Sequence, residues 1–256
     1  MKKLMLLAVT LLAALNLTAC VNFQSQTDIK SDGSGVAQMT MSMSPSIQEA
    51  LAEMKELDSS QSEDMDFPLM DDLQKDEIEK AAKGHGVKVK KFEKATVDGR
   101  ETLEIVMEFD DLKGLTYVMN RVMGEGGSGD GMGIFDAGDG NFVLRQTHYD
   151  FPAEPAAEEE VEEEPADATA DMQNMDPEQM QKQMEIMGKL MGAMAELDVS
   201  FKITVPGEIV STNAPLTEGK TSVWSINSGN MMTMDQDMEP EIVFSGKGLK
   251  LKPIKE

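Results

Sequence analysis

The sequence predicts an α+β domain in which an antiparallel sheet of hairpins packs with a few helices. Three observations support this class. Apolar and polar residues alternate over several short segments, as they do in half-buried strands. Glycine-containing turns separate these segments, and such turns join antiparallel neighbours. Between the hairpins lie segments with apolar residues three and four positions apart, which predict amphipathic helices.

The first hairpin is predicted around the turn at residues 31–35, where Gly33 can adopt a positive φ. The strand before the turn presents Phe23, Ser25, Thr27 and Ile29 on one face, and the strand after it presents Ala37, Met39, Met41 and Met43. Folding about Gly33 places these two faces side by side. The hairpin therefore supplies part of the predicted core.

Two helices are predicted after this hairpin. Ser44-Pro45 favours the start of the first, since serine caps helices and proline suits their first position. Its apolar residues are Ile47, Ala50, Leu51, Met54 and Leu57. A polar loop over residues 58–66 separates it from a second helix. That helix is expected to begin at Asp71-Asp72 and to end at Gly84, with Leu73, Ile78, Ala81 and Ala82 on its apolar side.

A second hairpin is predicted at Asp98-Gly99, between strands over residues 87–97 and 100–109. Asp110 and Asp111 then cap a short helix with the apolar residues Leu112, Leu115, Tyr117, Val118 and Met119. A glycine-rich loop over 124–133 is expected to follow. The third strand pair runs through 134–135 and 142–149, with its turn at Asp139-Gly140.

Residues 150–178 differ in composition from the rest of the chain. They contain twelve acidic residues, four prolines and no Lys or Arg. Such a segment cannot bury enough apolar surface to offset its ordering entropy, and repulsion between like charges extends it. We interpret residues 150–176 as an acidic, disordered linker. A cation-binding or partner-docking segment is the alternative.

A methionine-rich helix is predicted over residues 177–197. Five methionines recur at spacings of four and three and form one stripe: Met180, Met184, Met187, Met191 and Met194. The spacing favours a stripe that faces the core. The alternatives are an adaptable apolar binding face, since methionine suits such surfaces, and thioether ligation of Cu(I). The same alternatives apply to the strand methionines at 39, 41 and 43 and to the cluster at 231–238.

Strands flank the acidic linker on both sides, which favours one interrupted domain over two independent ones. After the methionine-rich helix, Val199, Phe201, Ile203 and Val205 alternate as a strand, and shorter strands follow around 223–226 and 242–244. The predicted organisation is a signal peptide (1–19), the first part of the domain (20–149), the linker (150–176), the methionine-rich helix (177–197), the closing strands (198–246) and a Lys-rich tail (247–256).

The first twenty residues have the pattern of a secretory signal peptide. Two lysines precede an apolar run from Leu4 to Leu15, which is shorter than the roughly 20 residues of a membrane span. The sequence Leu17-Thr18-Ala19-Cys20 resembles the lipobox of bacterial lipoproteins. The resemblance implies cleavage between Ala19 and Cys20 and a diacylglycerol on the Cys20 sulfur, with acyl chains such as palmitate in the membrane. A soluble secreted protein with an incidental cysteine is the alternative.

Val21, rather than aspartate, follows the lipobox cysteine, which favours the outer over the inner membrane in a double-membraned host. Removal of residues 1–19 takes away two lysines and no acid, so the formal charge changes from −24 to −26. This acidity excludes a broad basic surface for nucleic acid. A single cysteine excludes an intramolecular disulfide framework and a multi-cysteine metal site.

Three segments together resemble the LppM-like family of bacterial lipoproteins. They are Cys20 with the Asp32–Gly35 turn, the run Phe109–Leu115 entering a short helix, and Val205–Ile209 followed by Asn213-Ala214 and Val223-Trp224. The resemblance implies an extracytoplasmic sheet-and-helix domain, in a family whose biochemical role is largely undefined. It carries over no catalytic residue. The acidic linker, the methionine-rich helix and the lack of a C-terminal apolar span depart from the family pattern.

No catalytic or metal motif occurs in the context that its chemistry requires. Gly124–Gly129 matches G-x-G-x-x-G, but it follows a helical pattern, whereas a dinucleotide fingerprint follows a strand and opens a helix. A calcium-like string at 28–33 has Lys30 in a ligand position. His85 and His148 form no metal-spaced pair. We therefore expect no enzyme activity, no cofactor and no bound metal.

The sequence thus predicts a lipid-anchored envelope lipoprotein that acts as a non-catalytic binding or interaction module. A hydrophobic ligand or an envelope protein would contact the sheet and the methionine stripe, in a groove between helix 177–197 and the sheet. The partner would not be nucleic acid. A structural or assembly factor of the cell envelope without a small ligand is the alternative.

Overall fold

The structure is a computed structural model that describes residues 21–57, 73–122, 129–151, 177–194, 196–230 and 239–255. The signal peptide, Cys20 and its cleavage site, linker residues 152–176 and the methionines at 231–238 lie outside the described residues. The predictions made for those segments are therefore not addressed by the fold. The backbone at Met180 and Met194 belongs to the described residues, but the side chains of these two methionines do not.

The described residues form four helices and eleven strands, which confirms the α+β class. The helices are α1 (Pro45–Leu57), α2 (Lys75–Ala82), α3 (Leu112–Val122) and α4 (Pro177–Met194). The strands are β1 (Val21–Ile29), β2 (Gly35–Met43), β3 (Val87–Val97), β4 (Arg100–Phe109), β5 (Asp130–Gly138), β6 (Asn141–His148), β7 (Leu197–Thr204), β8 (Ile209–Thr212), β9 (Leu216–Glu218), β10 (Thr221–Asn227) and β11 (Ile242–Ser245).

All three predicted hairpins are present, and their turns explain why. Asp98 and Gly99 have φ values of 51° and 79°, and Asp139 and Gly140 have values of 52° and 77°. Two successive positive φ values are typical of the turn whose twist matches the flanking strands. Gly33, with φ of 94°, bends the longer connection between β1 and β2. Local turn chemistry therefore determines these three strand pairings.

The strands form two sheets rather than one. The larger sheet has the order β3-β4-β2-β1-β7-β10-β9, and the smaller has the order β5-β6-β11-β8. Every strand pair in the described residues is antiparallel except β1 and β7, which run parallel from Val21 beside Leu197 to Asp28 beside Thr204. Because α4 delivers the chain to the end where β1 begins, β7 runs in the direction of β1. Parallel neighbours cannot be joined by a tight turn and need a long connection, which here comprises residues 30–196.

One face of the larger sheet forms the core. The register sets Met41 of β2 between Phe23 of β1 and Leu103 of β4. Met39, Met41 and Met43 are 3%, 0% and 1% exposed, which confirms that the strand methionines face inward. Side chains of the shorter helices and of the smaller sheet complete the same cluster, among them Ile78, Val118, Leu144, Ile242 and Phe244.

The glycine-rich segment contains a strand where a loop was predicted. β5 begins at Asp130, so Gly131 and Gly133 lie within a strand and not in a loop. A Cβ atom on Gly131 would overlap the Thr116 side chain of α3, and one on Gly133 would press on Ile254 and Thr147. These glycines therefore serve close packing of the strand on its neighbours, a role that composition alone does not distinguish from loop flexibility.

The second helix and the C-terminal tail also differ from expectation. α2 begins at Lys75 with Gln74 as its N-cap, while Asp71-Asp72 lies outside the described residues. Its end is followed by Gly84 at φ of 88°, as predicted. In the predicted Lys-rich tail, the Lys250 amide donates to the Ser31 carbonyl and the Ile254 amide donates to the Ile134 carbonyl. This part of the tail is thus attached to the domain.

The prediction that the methionine stripe of the fourth helix faces the core is wrong for the three described side chains. Met184, Met187 and Met191 are 66%, 56% and 67% exposed, whereas Ile186 of the same helix is 2% exposed. Among the described elements α4 packs mainly on α1, and Ile186 lies on the side of α4 opposite these methionines. The predicted groove between α4 and the sheet is accordingly replaced by a helix pair.

Candidate functional site

An exposed methionine face is the first candidate site in the described residues. We define it as Met184, Met187 and Met191 of α4, whose spacing of three and four residues places them on one side of the helix. Gly188 and Gly192 lie beside them, and among the described residues no side chain comes within 4 Å of where their Cβ atoms would be. The face is therefore apolar, uncovered by the described residues and flanked by backbone that another surface can approach closely.

The opposite side of α4 is attached to α1. Ile186 of α4 is buried, as are Ile47 and Ala50 of α1, and the two helices pack on each other. The Lys189 ammonium lies 3.7 Å from the Glu53 carboxylate of α1 and 3.5 Å from Glu185 on its own helix. These exposed ion pairs contribute little stability. The small apolar contact between the helices therefore fixes which side of α4 remains open.

Both helices join the larger sheet at the end where β1 starts. Val21 lies opposite Met43, the last residue of β2 and two positions before α1, and beside Leu197, the first strand residue after α4. The Gln48 amide of α1 donates to the Glu101 carboxylate at 2.7 Å, and Glu101 pairs with Met43 in the register. The residue that follows Cys20 and the junctions of both helices therefore share one end of the sheet.

A cleft of about 450 Å³ between α2 and α3 is the second candidate site, and it lies toward the other end of the sheet. The turn after α2 leads into β3, whose Val87 pairs with Phe109, the last residue of β4. The Asp110 amide donates to the Gly86 carbonyl at 2.8 Å. Gly114 of α3 contacts the His85 carbonyl so closely that a Cβ atom there would overlap it. These contacts hold α3 against the turn that closes the cleft.

The cap that was predicted for α3 supports this geometry. The Asp111 carboxylate accepts a hydrogen bond from the Gly114 amide at 2.8 Å, which satisfies one of the unpaired donors of the first turn. A negative charge at a helix start also interacts favourably with the helix dipole. Asp111 therefore helps to fix the start of α3, and Tyr117 and Arg121 of this helix line the cleft.

The lining of the cleft combines an apolar floor with a cationic rim. Ile78 and Ala81 of α2 are buried at the floor, next to Leu73 and Val122. The charged residues of the lining are three cations, Lys80, Lys83 and Arg121, and one acid, Glu77. In a chain with 47 acids and 23 basic residues, this local balance is the reverse of the overall one.

Aromatic rings form the wall of the cleft that α3 contributes. The His85 ring stacks on the Tyr117 ring with 3.5 Å between centroids and an interplanar angle of 10°. Phe151 meets Tyr117 edge-on at 5.2 Å, so this residue of the predicted linker belongs to the domain. The Lys113 ammonium lies 5.7 Å from the Phe151 centroid and 5.9 Å from that of Tyr149. Such cation–π contacts add to ring packing.

Tyr149 is the group of this cluster with the largest pKa change. Burial raises the pKa of Tyr149 to about 12, and the negative charge of Asp111 contributes in the same direction. The hydroxyl donates to the Met132 carbonyl at 2.8 Å, a hydrogen bond that requires the protonated phenol. Ionisation of Tyr149 therefore conflicts with the folded structure.

Because ionised Tyr149 does not fit the folded structure, the free energy of unfolding should decrease at alkaline pH. Because the folded pKa exceeds the unfolded value of about 10, the contribution of Tyr149 is complete below pH 10 and is lost as the pH rises toward 12. We expect the urea midpoint of the Tyr149→Phe variant to fall less between pH 9 and pH 11.5 than that of the wild type. A Tyr117→Phe variant provides the comparison, and equal slopes for the wild type and Tyr149→Phe would contradict the prediction.

The residues considered for metal chemistry have structural partners. The Asp32 carboxylate accepts hydrogen bonds from the Ser34 hydroxyl at 2.8 Å and the Ser34 amide at 3.1 Å, and these bonds lower the pKa of Asp32. His148 pairs with Asp130 at 2.9 Å on the surface. Within the described ranges, no three His, Cys, Asp or Glu side chains are grouped as a metal site.

The methionine face contains residues that the sequence predicts to lie together, whereas the cleft brings together residues that are distant in the sequence. The predicted binding residues Met184, Met187 and Met191 share one exposed face, while Cys20 and the side chains of Met180 and Met194 lie outside the description. The cleft was not predicted, because Lys80 and Arg121 are distant in sequence. The observable indication was a lysine pair at 80 and 83 close to His85, between two glycines.

None of the helices in the described residues is both long enough and apolar enough to cross a membrane. No protein-family model and no curated protein matches the chain. Among solved structures, the chain is similar to the NMR structure of the folded domain of LppM from Mycobacterium tuberculosis, with 12% sequence identity and a TM-score of 0.42 over 89% of this chain and 91% of that chain.

Proposed function

We propose that the protein is a lipid-anchored lipoprotein of the bacterial envelope that acts as a non-catalytic binding or interaction module. The observation that carries the proposal is the exposed methionine face of α4. Burial of apolar side chains against a partner is favourable by roughly 25 cal/mol per Å² removed from water. Methionine is flexible and adapts to partners of different shape. The partner would be an envelope protein or a hydrophobic ligand.

The anchor rests on the lipobox pattern at residues 17–20. Because β1 begins at Val21, a diacylglycerol on Cys20 would be joined without a spacer to a central strand of the larger sheet. α1 and α4 join the sheet at that same end. In this arrangement the methionine face is held close to the membrane, where envelope proteins and apolar ligands are concentrated. Val21 supports the outer membrane as the location.

The anchor predicts the result of a fractionation experiment. Cys20→Ala removes the sulfur that would carry the lipid, so the protein should move almost entirely from the membrane fraction to the soluble fraction. The fractions are washed with high salt and compared by immunoblot. Unchanged sedimentation with membranes would contradict the anchor. In a double-membraned host, Val21→Asp should shift the lipidated protein to the inner membrane.

The methionine face predicts a specific loss of partner contact. In the triple variant Met184→Gln, Met187→Gln and Met191→Gln, the helix keeps side chains of similar length but loses its apolar surface. The yield of a photo-crosslink from position 188, beside the face, should fall by about tenfold or more, which corresponds to at least 1.4 kcal/mol of contact energy. Stability should change by less than about 0.5 kcal/mol per site, because these side chains are exposed.

A crosslinker at Val210, which is 59% exposed on β8, provides the matched control for this experiment. Mass spectrometry of the purified full chain detects a co-purifying apolar ligand. If position 188 gives no more crosslink than position 210, and no ligand co-purifies, the binding role is refuted. The result would then favour a structural or assembly factor of the envelope.

A further inference from the structure

We propose that the cleft between α2 and α3 is a binding site for a small organic anion with an aromatic body, of the aryl carboxylate or aryl phosphate class. The cleft is lined by residues of α2, of α3 and of the turn after α2, and it shares none of them with the methionine face. The site is therefore additional to the proposed interaction through α4, and it does not depend on the lipid anchor.

The charge of the lining selects an anion. Lys80 and Lys83 reach the cleft from α2 and its following residue, and Arg121 reaches it from the last turn of α3. Glu77 is the one acid among the lining residues, so cations outnumber acids in the lining by three to one. Lysine and arginine are the usual partners of carboxylates and phosphates.

The uncharged part of the lining selects the body of the ligand. Ile78 and Ala81 provide a buried apolar floor, and the stacked pair of His85 and Tyr117 provides an aromatic wall. Pairs of aromatic rings are favourable beyond the area that they bury. A charged group at the rim and a ring against this wall can therefore be accommodated by one molecule.

The size of the cleft restricts the ligand further. A volume of about 450 Å³ lies within the range of small-molecule sites. The apolar lining consists of four aliphatic side chains, those of Leu73, Ile78, Ala81 and Val122. Two long acyl chains would leave most of their apolar surface in water on so short a floor. The dimensions therefore favour a soluble anion over a membrane lipid.

Titration calorimetry with the full mature chain and three probes tests this inference. Phenyl phosphate carries both the charge and the ring, inorganic phosphate carries the charge alone, and benzyl alcohol carries the ring alone. Phenyl phosphate should bind at least about tenfold more tightly than either of the other two, a difference of 1.4 kcal/mol. Equal affinity for inorganic phosphate would mean a simple cationic patch and would overturn the proposal.

A double variant of two exposed lysines is tested in the same titration. Lys80→Gln combined with Lys83→Gln should weaken phenyl phosphate binding by about tenfold or more without altering the melting temperature, since both side chains lie on the surface. Lys247→Gln, in an exposed turn outside the cleft, should leave the affinity unchanged. Unchanged affinity of the double variant would refute the site. Binding to vesicles of anionic phospholipid without binding to phenyl phosphate would equally overturn it in favour of a lipid surface.

Discussion

Replacement of Phe244 by alanine should lower the free energy of unfolding by about 3–5 kcal/mol. The ring is fully buried in β11 of the smaller sheet, 5.9 Å from the Phe142 ring, and it belongs to the cluster that joins both sheets and the helices α2 and α3. Truncation removes the transfer energy of the ring and leaves a cavity that these rigid neighbours can fill only in part. Urea denaturation followed by circular dichroism measures the loss.

Val210→Ala is the matched control for this prediction. Val210 lies in β8 of the same sheet but is 59% exposed, so its truncation should change the free energy of unfolding by no more than about 0.5 kcal/mol. Similar losses in the two variants would show that the smaller sheet is not packed on the core. A loss confined to Phe244→Ala supports a single core shared by both sheets.

A single methyl group at Gly114 should destabilise the protein by about 1–3 kcal/mol, although alanine is the better helix former. The added Cβ would overlap the His85 carbonyl, which is backbone and cannot rotate away. α3 would have to move from the turn after α2, and the stacking of His85 on Tyr117 would be disturbed with it. Thermal and urea unfolding measure the first effect, and the histidine ring proton shifts in NMR spectra report the second.

Gly188→Ala on α4 introduces the same chemical change without an obstacle. Within the part of the chain that the structure describes, no side chain lies within 4 Å of its added Cβ, so the variant should gain up to about 1 kcal/mol from helix propensity. Opposite signs for Gly114→Ala and Gly188→Ala are the expected result. Stabilisation by Gly114→Ala would contradict the close contact between α3 and the turn.

The elements that the sequence predicts well are those specified by neighbouring residues. The turns at Asp98-Gly99 and Asp139-Gly140 bring together strands that are adjacent in the chain, so the turn residues are sufficient to indicate the pairing. The cap by Asp111 is equally local. Alternation in β2 also predicts its buried methionines, because every second residue of a strand faces the same side.

Features that depend on distant partners were not predicted. The periodicity of α4 shows that methionines share one side of the helix, but it does not show what covers that side. In the structure α1 packs on the side that carries Ile186, and the methionine face remains exposed. The parallel pairing of β1 with β7 and the cleft between α2 and α3 arise in the same way from contacts between remote segments.

The parallel contact between β1 and β7 has a consequence for how the chain folds. Asn22 of β1 donates a side-chain hydrogen bond to Asp198 of β7, which is 176 residues further along the chain. As the chain emerges, this edge of β1 therefore has no partner until residues 197–204 of β7 are available. Contacts of such high sequence separation slow folding, and an unpaired strand edge is a template for aggregation. We expect a high relative contact order, slow folding and a requirement for chaperone protection of the nascent chain.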